Sequence, residues 1–504
     1  MQLHPETSIS AAALAAGQRA LVADAAWASL TGSLSGGVVL VAFALELGAD
    51  PRSIGLLGAI PFIAQATQLP AIYLVERFRL RQLIGVPLLT VARLVILALA
   101  CLPLLPSGGS RLAWLIAAQA AISVLGSVAA CAINSWFHQL LPPADLGAVF
   151  SKRLLWATGL ACVATLGVGL LVDHPPFGNR MTSYAIVFVG AGLCGLMSSF
   201  YLTRCPEPVM EVGGPVWPLK EILRAPFVDR NFRRLLLTLG GWGFASNLVA
   251  PFLAVYMMRQ LGYGLGTVTA MWASSQLANA ATLLSWGRIS DRQSNQSVLE
   301  VAFPVYFACT LGFAFVPTGS LVTYQLAMLF VLHIVMGAAG GGIGLATGNL
   351  SMKLAPRGRG TAYLAATGLV SSVAGGAAPL VGGALAQWFS ERELSFVFRW
   401  VSPNDTHEVS VLQFAHWEFL FAISAMLGLY VMHAVSRIRE GNEVSERRVI
   451  QEIGLEALRT VNQLSSIGGV LGSLFPFGRL SDRRRRRTRV EHPPYSGSSP
   501  TPRQ

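Results

Sequence analysis

Several side chains able to bind a solute or move a proton stand within otherwise apolar stretches of this chain: His333, Trp242, Asn247, Asp24 and Arg93. A histidine exchanges a proton near neutral pH. An asparagine presents both donors and an acceptor, and a tryptophan ring gives a flat apolar wall with one N–H. An arginine at the centre of a bilayer helix costs about 2.5–3.5 kcal/mol on insertion scales, so Arg93 must face a partner or a watery space. These types suit solute recognition by Trp242, Asn247 and His333, joined by Asn134 and Asn349, and proton coupling by Asp24, Arg93 and His333. A plainer role stands beside each. His333 can be satisfied within a core, Asn247 can bond between helices, and Asn134 and Asn349 can brace helix ends. Gln65, at a depth similar to Arg93, is the partner expected for it. Asp24 lies about two turns away in depth, which argues against a direct Asp24–Arg93 pair.

The elements that carry these residues are long and apolar. Of 504 residues, 53% are hydrophobic and 12% charged, about half the charge fraction of ordinary soluble domains. The mean hydropathy is +0.54. Runs of about 20 apolar residues can cross a bilayer as helices. About twelve are predicted, starting near Leu21, Ser53, Gln82, Leu112, Leu146, Thr182, Phe232, Gly266, Ser297, Leu321, Gly360 and Phe414. They divide six and six around a polar stretch from Arg204 to Arg234, with a short surface helix predicted at Leu219–Arg224. The expected fold is therefore all-α and polytopic, with two six-helix pseudo-symmetric bundles. Residues 1–203 form the first bundle, 204–230 a cytoplasmic central loop, 231–438 the second bundle, and 439–504 a cytoplasmic amphipathic helix with a basic tail.

The two halves repeat each other. Leu47-Gly48 opens an apolar segment closed by Glu76-Arg77, and Leu261-Gly262 opens another closed by Asp291-Arg292. Asn134 precedes Pro142 as Asn349 precedes Pro356; the offsets are 262 − 48 = 214 and 349 − 134 = 215. So long a repeat in membrane sequence points to two homologous halves around one cavity.

The net charge of +12 could suggest a nucleic-acid partner, but its distribution argues otherwise. Arginine and lysine gather in alternate loops (Arg77/Arg79/Arg81, Lys152/Arg153, Arg288/Arg292, Lys353/Arg357/Arg359), which places both termini in the cytoplasm by the positive-inside bias. Arginine in excess of lysine, without an organelle-targeting pattern, suggests a bacterial inner membrane. The six cysteines lack metal-ligand or redox spacing, and residues 1–20 lack the pattern of a cleavable signal. The run Gly337–Gly348 has neither the Lys-Ser/Thr ending of a phosphate loop nor a strand before it. No catalytic residue, metal site or cofactor is expected, and no enzymatic activity.

The loop Gly287-Arg-Ile-Ser-Asp291-Arg292 resembles the Gly-x-x-x-Asp-Arg loop of the major facilitator superfamily, and the resemblance covers about residues 20 to 440. It implies a secondary transporter that moves a small solute by alternating access, with or without proton coupling. The alternatives are an uncoupled facilitator and a non-transporting receptor or assembly factor on the same fold. The resemblance also implies that the first, fourth, seventh and tenth helices line the cavity; a monomer is expected. Glu76, Arg77, Gly287, Asp291 and Arg292 then form a cytoplasmic gate through charge-assisted bonds. The first copy departs from the pattern, with Ile72 in place of the glycine. Gly375-Gly-Ala-Ala-Pro379-Leu-Val-Gly382-Gly383 is similar to an antiporter signature but lies in the eleventh helix, so close helix packing is the favoured reading.

Two regions lie outside this pattern. Leu394–Val401 and Glu408–Phe414 are rich in β-formers around Ser-Pro-Asn-Asp-Thr-His, which predicts a periplasmic β-hairpin over the outer mouth. Val449, Ile450, Ile453, Ala457 and Val461 share one helical face, suggesting a surface helix. Arg483–Arg487 could bind anionic lipid headgroups or belong to a solvated tail.

Overall fold

The structure, a computed structural model, describes residues 5–440 apart from 106–108, 177, 211–218, 318–321, 357–359 and 403–404. The surface helix expected at Val449–Val461 and the run Arg483–Arg487 lie outside the described residues. The first half comprises α1 (Ala11–Ser35), α2 (Gly37–Glu46), α3 (Pro51–Ala64), α4 (Gln68–Phe78), α5 (Arg81–Ala98), α6 (Gly109–Leu140), α7 (Pro143–Asp173) and α8 (Arg180–Leu202). A short α9 (Leu219–Val228) connects to α10 (Arg230–Val255), α11 (Leu265–Arg292), α12 (Asn295–Gly312), α13 (Val322–Lys353) and α14 (Gly360–Phe389). The chain closes with β1 (Glu393–Ser402), β2 (Asp405–Ala415) and α15 (Glu418–Val435).

Helix starts carry the side chains that satisfy free N–H groups. Ser10 caps α1, Asp50 caps α3, Asn179 caps α8, Asp229 caps α10 and Ser294 caps α12. The repeat punctuation has a backbone cause. Gly48 and Gly262 both adopt positive φ, +83° and +74°, which only glycine takes without strain, and each reverses the chain before the next span. Eleven helical stretches among the described residues are long and apolar enough to cross a membrane. The twelfth, α11, has membrane length but carries Ser274, Ser275, Gln276, Asn279 and Thr282. These side chains are half-buried, and α11 bonds to α13 nearby, where Trp286 Nε1 donates to Ala338 O at 2.8 Å. The glycine-rich stretch of α13 lets α11 approach, since a β-carbon on Gly341 would sit 3.1 Å from Asn279 O.

Two boundaries differ from the sequence reading. The first span begins ten residues earlier, at Ala11, and is broken at Gly36–Gly37, where Gly37 has φ +52°. The last span begins at Glu418 because β2 runs through Phe414 to Ala415. The hairpin itself is present and antiparallel, with a register shift between Phe396 and Val397. That shift pairs Phe398 with Val409 rather than with Ser410.

In the first bundle α1 packs on α7 and α8, and α5 on α6 and α8; in the second α10 packs on α14 and α15, and α13 on α11 and α12. The bundles meet where α3 lies along α14 and α7 along α11. The molecule thus has a hairpin end, bearing β1 and β2, and a basic end, bearing Arg79, Arg292 and Lys353.

Candidate solute cavity and its gates

A cavity of about 430 Å3 lies between the bundles, within the range that small ligands occupy. His333 and Asn247 line it, as expected from sequence. His333 is only 2% exposed and its Nδ1 donates to Leu329 O at 2.8 Å; its ring meets Phe313 edge-on at 5.2 Å. Asn247 donates to Gly243 O at 2.8 Å. Trp242 is not among the lining residues. Its indole packs against Phe303, Tyr306 and Phe307 inside the second bundle, at centroid distances of 5.3, 4.6 and 5.8 Å. Asn134 is exposed on α6 and Asn349 half-buried on α13, both away from the cavity wall. Gln119, Ser246, Trp272, Thr310 and Ser424 line it instead. Gln119 lies on the fourth span, about four helical turns from Asn134, the asparagine singled out there.

The hairpin end is sealed by backbone-close contacts between the bundles. A β-carbon on Gly55 would collide with Pro379 O, and one on Gly383 would lie 2.6 Å from Pro51 O. Gly58 admits the Pro251 ring, and a β-carbon on Gly169 would come within 2.6 Å of Gly266 Cα. The small residues of Gly375–Gly383 therefore serve close packing, as the sequence favoured. Asp173, the last residue of α7, accepts from Leu265 N at 2.9 Å and Gly266 N at 2.7 Å. A carboxylate of one bundle thus caps a helix of the other, where the N-terminal dipole favours it. Arg259 donates to Leu45 O at 3.1 Å across the same boundary. Further along α3 the recorded bond between bundles is Ser372 Oγ to Gln65 Oε1, 2.8 Å.

Gln65 therefore partners Ser372, and the expected Gln65–Arg93 pair is not formed. Arg93 lies against α8, where a β-carbon on Gly195 would run into its aliphatic stem, and its Nε is buried without a bond. Ser198, one turn along, donates to Asp24 Oδ1 at 2.7 Å. Arg93 is within electrostatic reach of Asp24, but the direct partner is Arg153, 3.5 Å from Asp24 Oδ2 and donating to Leu21 O at 2.6 Å. Arg153, counted with the loop charges in the sequence, is a member of a buried four-helix charge cluster. It lies seven residues inside the span expected from Leu146, but beside Lys152 it reads as one of the loop charges, and nothing local marks the return to Asp24 of α1.

At the basic end, Glu76, Arg77, Asp291 and Arg292 are exposed. Arg77 Nη1 donates to Tyr73 of its own helix at 3.3 Å. A β-carbon on Gly287 would find Leu345 Cδ1 of α13 at 3.8 Å, an ordinary contact. Two glutamates unremarked in the sequence make the denser contacts. Glu207, five residues past the end of α8, accepts from Arg81 N at 2.6 Å and Gln82 N at 3.1 Å, capping α5. Glu440, five residues past the end of α15, accepts from Gln296 N at 2.9 Å, Asn295 Nδ2 at 2.7 Å and Lys353 Nζ at 2.9 Å, capping α12. Burial opposes the Glu440 charge, but these bonds outweigh it and hold the carboxyl below the usual glutamate range. Each bundle therefore closes its last helix back onto its third span with the same device.

Two helical bundles of membrane length around a solute-sized cavity, sealed at one end, are the architecture of a transporter. The sequence model of the Major Facilitator Superfamily matches residues 25–379, and the chain belongs to that family. An MFS-type transporter of Aspergillus terreus (strain NIH 2624 / FGSC A1156) is 31% identical over 131 residues, 26% of this chain; the match spans only 22% of that relative. A mutant of the nucleoside transporter NupG superposes with a TM-score of 0.64 at 13% identity, over 84% of this chain and 99% of that one. A bacterial homologue of the lysosomal transporter Spinster, inward-facing and occupied, gives 0.61 at 15% identity, over 85% and 98%. A bacterial homologue of the iron transporter ferroportin, also inward-facing, gives 0.59 at 13% identity, over 85% and 99%. At such identities these structures share the fold. The protein is a multi-pass membrane protein of this transporter family. Among the described residues no group of three His, Cys, Asp or Glu side chains is placed to hold a metal ion.

Proposed function

We propose that the protein carries its solute by alternating access as a secondary transporter, and that the basic end faces the cytoplasm of a bacterial inner membrane. The observation that carries this is the one-sided seal: the backbone-close contacts between bundles gather at the hairpin end, from Gly55–Pro379 to Asp173–Leu265. That arrangement corresponds to an inward-facing state, with the hairpin on the periplasmic side. Positive-inside bias supports the same orientation. The Asp24–Arg153–Arg93 cluster lies in the first bundle, apart from the cavity lining, so it suits proton coupling rather than solute contact. Proteoliposomes loaded with a cell extract provide the direct test. Depletion of particular solutes, accelerated by an imposed pH gradient, is expected; an unchanged extract would favour a non-transporting receptor, and depletion indifferent to the gradient an uncoupled facilitator. With a solute in hand, His333→Ala should lower uptake or alter its pH dependence while membrane abundance stays intact. Wild-type uptake with an unchanged profile would return His333 to core packing.

The exposed state of Asp291 and Arg292 fits a gate that is open here and closes in the opposite state. Glu76, Arg77, Gly287, Asp291 and Arg292 are read as that gate. Asp291→Ala should favour the inward-facing state, so a cysteine near the basic-end mouth labels more readily from that side, by a few-fold, since a surface ion pair is worth about 0.2–1 kcal/mol. Identical labelling of variant and parent on both sides would remove these loops from the gating mechanism.

A further inference from the structure

Five polar side chains on the cavity wall have already spent a donor. Ser246 Oγ donates to Trp242 O at 2.7 Å, Asn247 Nδ2 to Gly243 O at 2.8 Å, and Thr310 Oγ1 to Tyr306 O at 3.0 Å. Ser424 Oγ donates to Ala245 O at 2.7 Å and His333 Nδ1 to Leu329 O at 2.8 Å. A carbonyl only accepts, so the proton in each bond belongs to the side chain. A hydroxyl has one proton and two lone pairs, and an imidazole protonated on Nδ1 is an acceptor at Nε2. The capacity these groups keep for a guest is therefore mostly acceptor capacity; Asn247 alone retains a spare N–H beside its oxygen.

The placement of these groups is one-sided. All five belong to α10, α12, α13 and α15 of the second bundle. The wall contributed by α2 and α3 is apolar, made of residues such as Val38, Val41, Leu57 and Pro61, with glycines between them; from the first bundle, Gln119 of α6 adds a polar group. No Asp, Glu, Lys or Arg is among the lining residues. An anionic guest would find no cation to offset its lost hydration, and a cationic guest would find no counter-charge. A guest without donors would leave the acceptors dry and unpaired.

We propose that the cavity takes an uncharged amphipathic solute with several hydroxyl or N–H groups on one edge and an apolar body on the other. The donor edge is read by the second bundle, and α2 and α3 of the first bundle supply an apolar wall that moves past the solute as the molecule switches. This rests on the cavity being the transport site.

The test uses the purified full-length protein and four sets of fragments matched in size: neutral with donors, neutral without donors, anionic and cationic. Thermal stabilisation is read for the parent, Asn247→Leu and Thr310→Val. Thr310→Val keeps the side-chain shape, so it covers the case in which Asn247→Leu folds poorly. Stabilising fragments are expected in the neutral donor-bearing set, and loss of one acceptor should weaken them about tenfold. Stabilisers drawn from the ionic or donor-free sets, none in the donor-bearing set, or binding unchanged in both variants would overturn the proposal. Counterflow in proteoliposomes separates the two claims. A donor-bearing fragment that binds without being moved sinks the transport reading and leaves the site chemistry standing. An ion that is moved while neutral donors fail to bind does the reverse.

Discussion

Replacing Gly55 with leucine is expected to hold the hairpin end open. The β-carbon would collide with the Pro379 carbonyl oxygen, and neither backbone can give way without separating α3 from α14. Overpacking costs about 1–3 kcal/mol, with the upper part of that range apt where the obstacle is backbone. A penalty of about 3 kcal/mol lowers the closed population about a hundredfold relative to the open one. The measurement is labelling of a cysteine at Val41, on the cavity wall, in a chain whose six native cysteines are replaced. A reagent that cannot cross the bilayer, added on the hairpin side, should react about a hundredfold faster in Gly55→Leu. Gly32→Leu serves as the control, because a β-carbon there meets open space. Equal rates in Gly55→Leu and the control, both correctly folded, would show that α3–α14 contact does not govern access.

The contacts behind this expectation were partly legible in the sequence. Gly375–Gly383 reads as a surface for close packing because small residues recur there, and α3 is the helix it receives. Gly48 and Gly262 were legible as repeat markers because a left-handed turn needs glycine twice, at matching places. The hairpin was legible because β-formers stood where the helical pattern stopped. Trp242 shows what was not. Its depth in the seventh span follows from counting residues, but the direction it faces does not. In a membrane helix the lipid face and the packing face are both apolar, so periodicity carries little information about azimuth. Glu207 and Glu440 escaped for a different reason. Each acts on a helix start far along the chain, 126 residues from Glu207 back to Arg81, and nothing local marks the return.

Removing Arg153 should be among the most damaging single changes in the first bundle, and removing Asp24 with it should be milder. Asp24 is 5% exposed, held by Ser198 at 2.7 Å and Arg153 at 3.5 Å. Breaking one side of a buried pair costs about 3–5 kcal/mol, because the remaining charge keeps its desolvation penalty without compensation. Arg153 retains 18% exposure and Arg93 still acts on Asp24, so about 3 kcal/mol is expected for Arg153→Met. Asp24→Asn/Arg153→Met removes both charges of the pair and should recover much of that loss, leaving Arg93 as the uncompensated group. Unfolding in detergent across the two single variants and the double one measures the coupling; additive losses would mean that the pair contributes nothing. The same three proteins test the proton role. If the cluster couples proton movement to transport, Asp24→Asn should abolish uphill accumulation driven by a pH gradient while solute exchange down its own gradient persists. Uphill accumulation that survives in Asp24→Asn would leave the cluster a structural tie among α1, α5, α7 and α8, with coupling placed elsewhere.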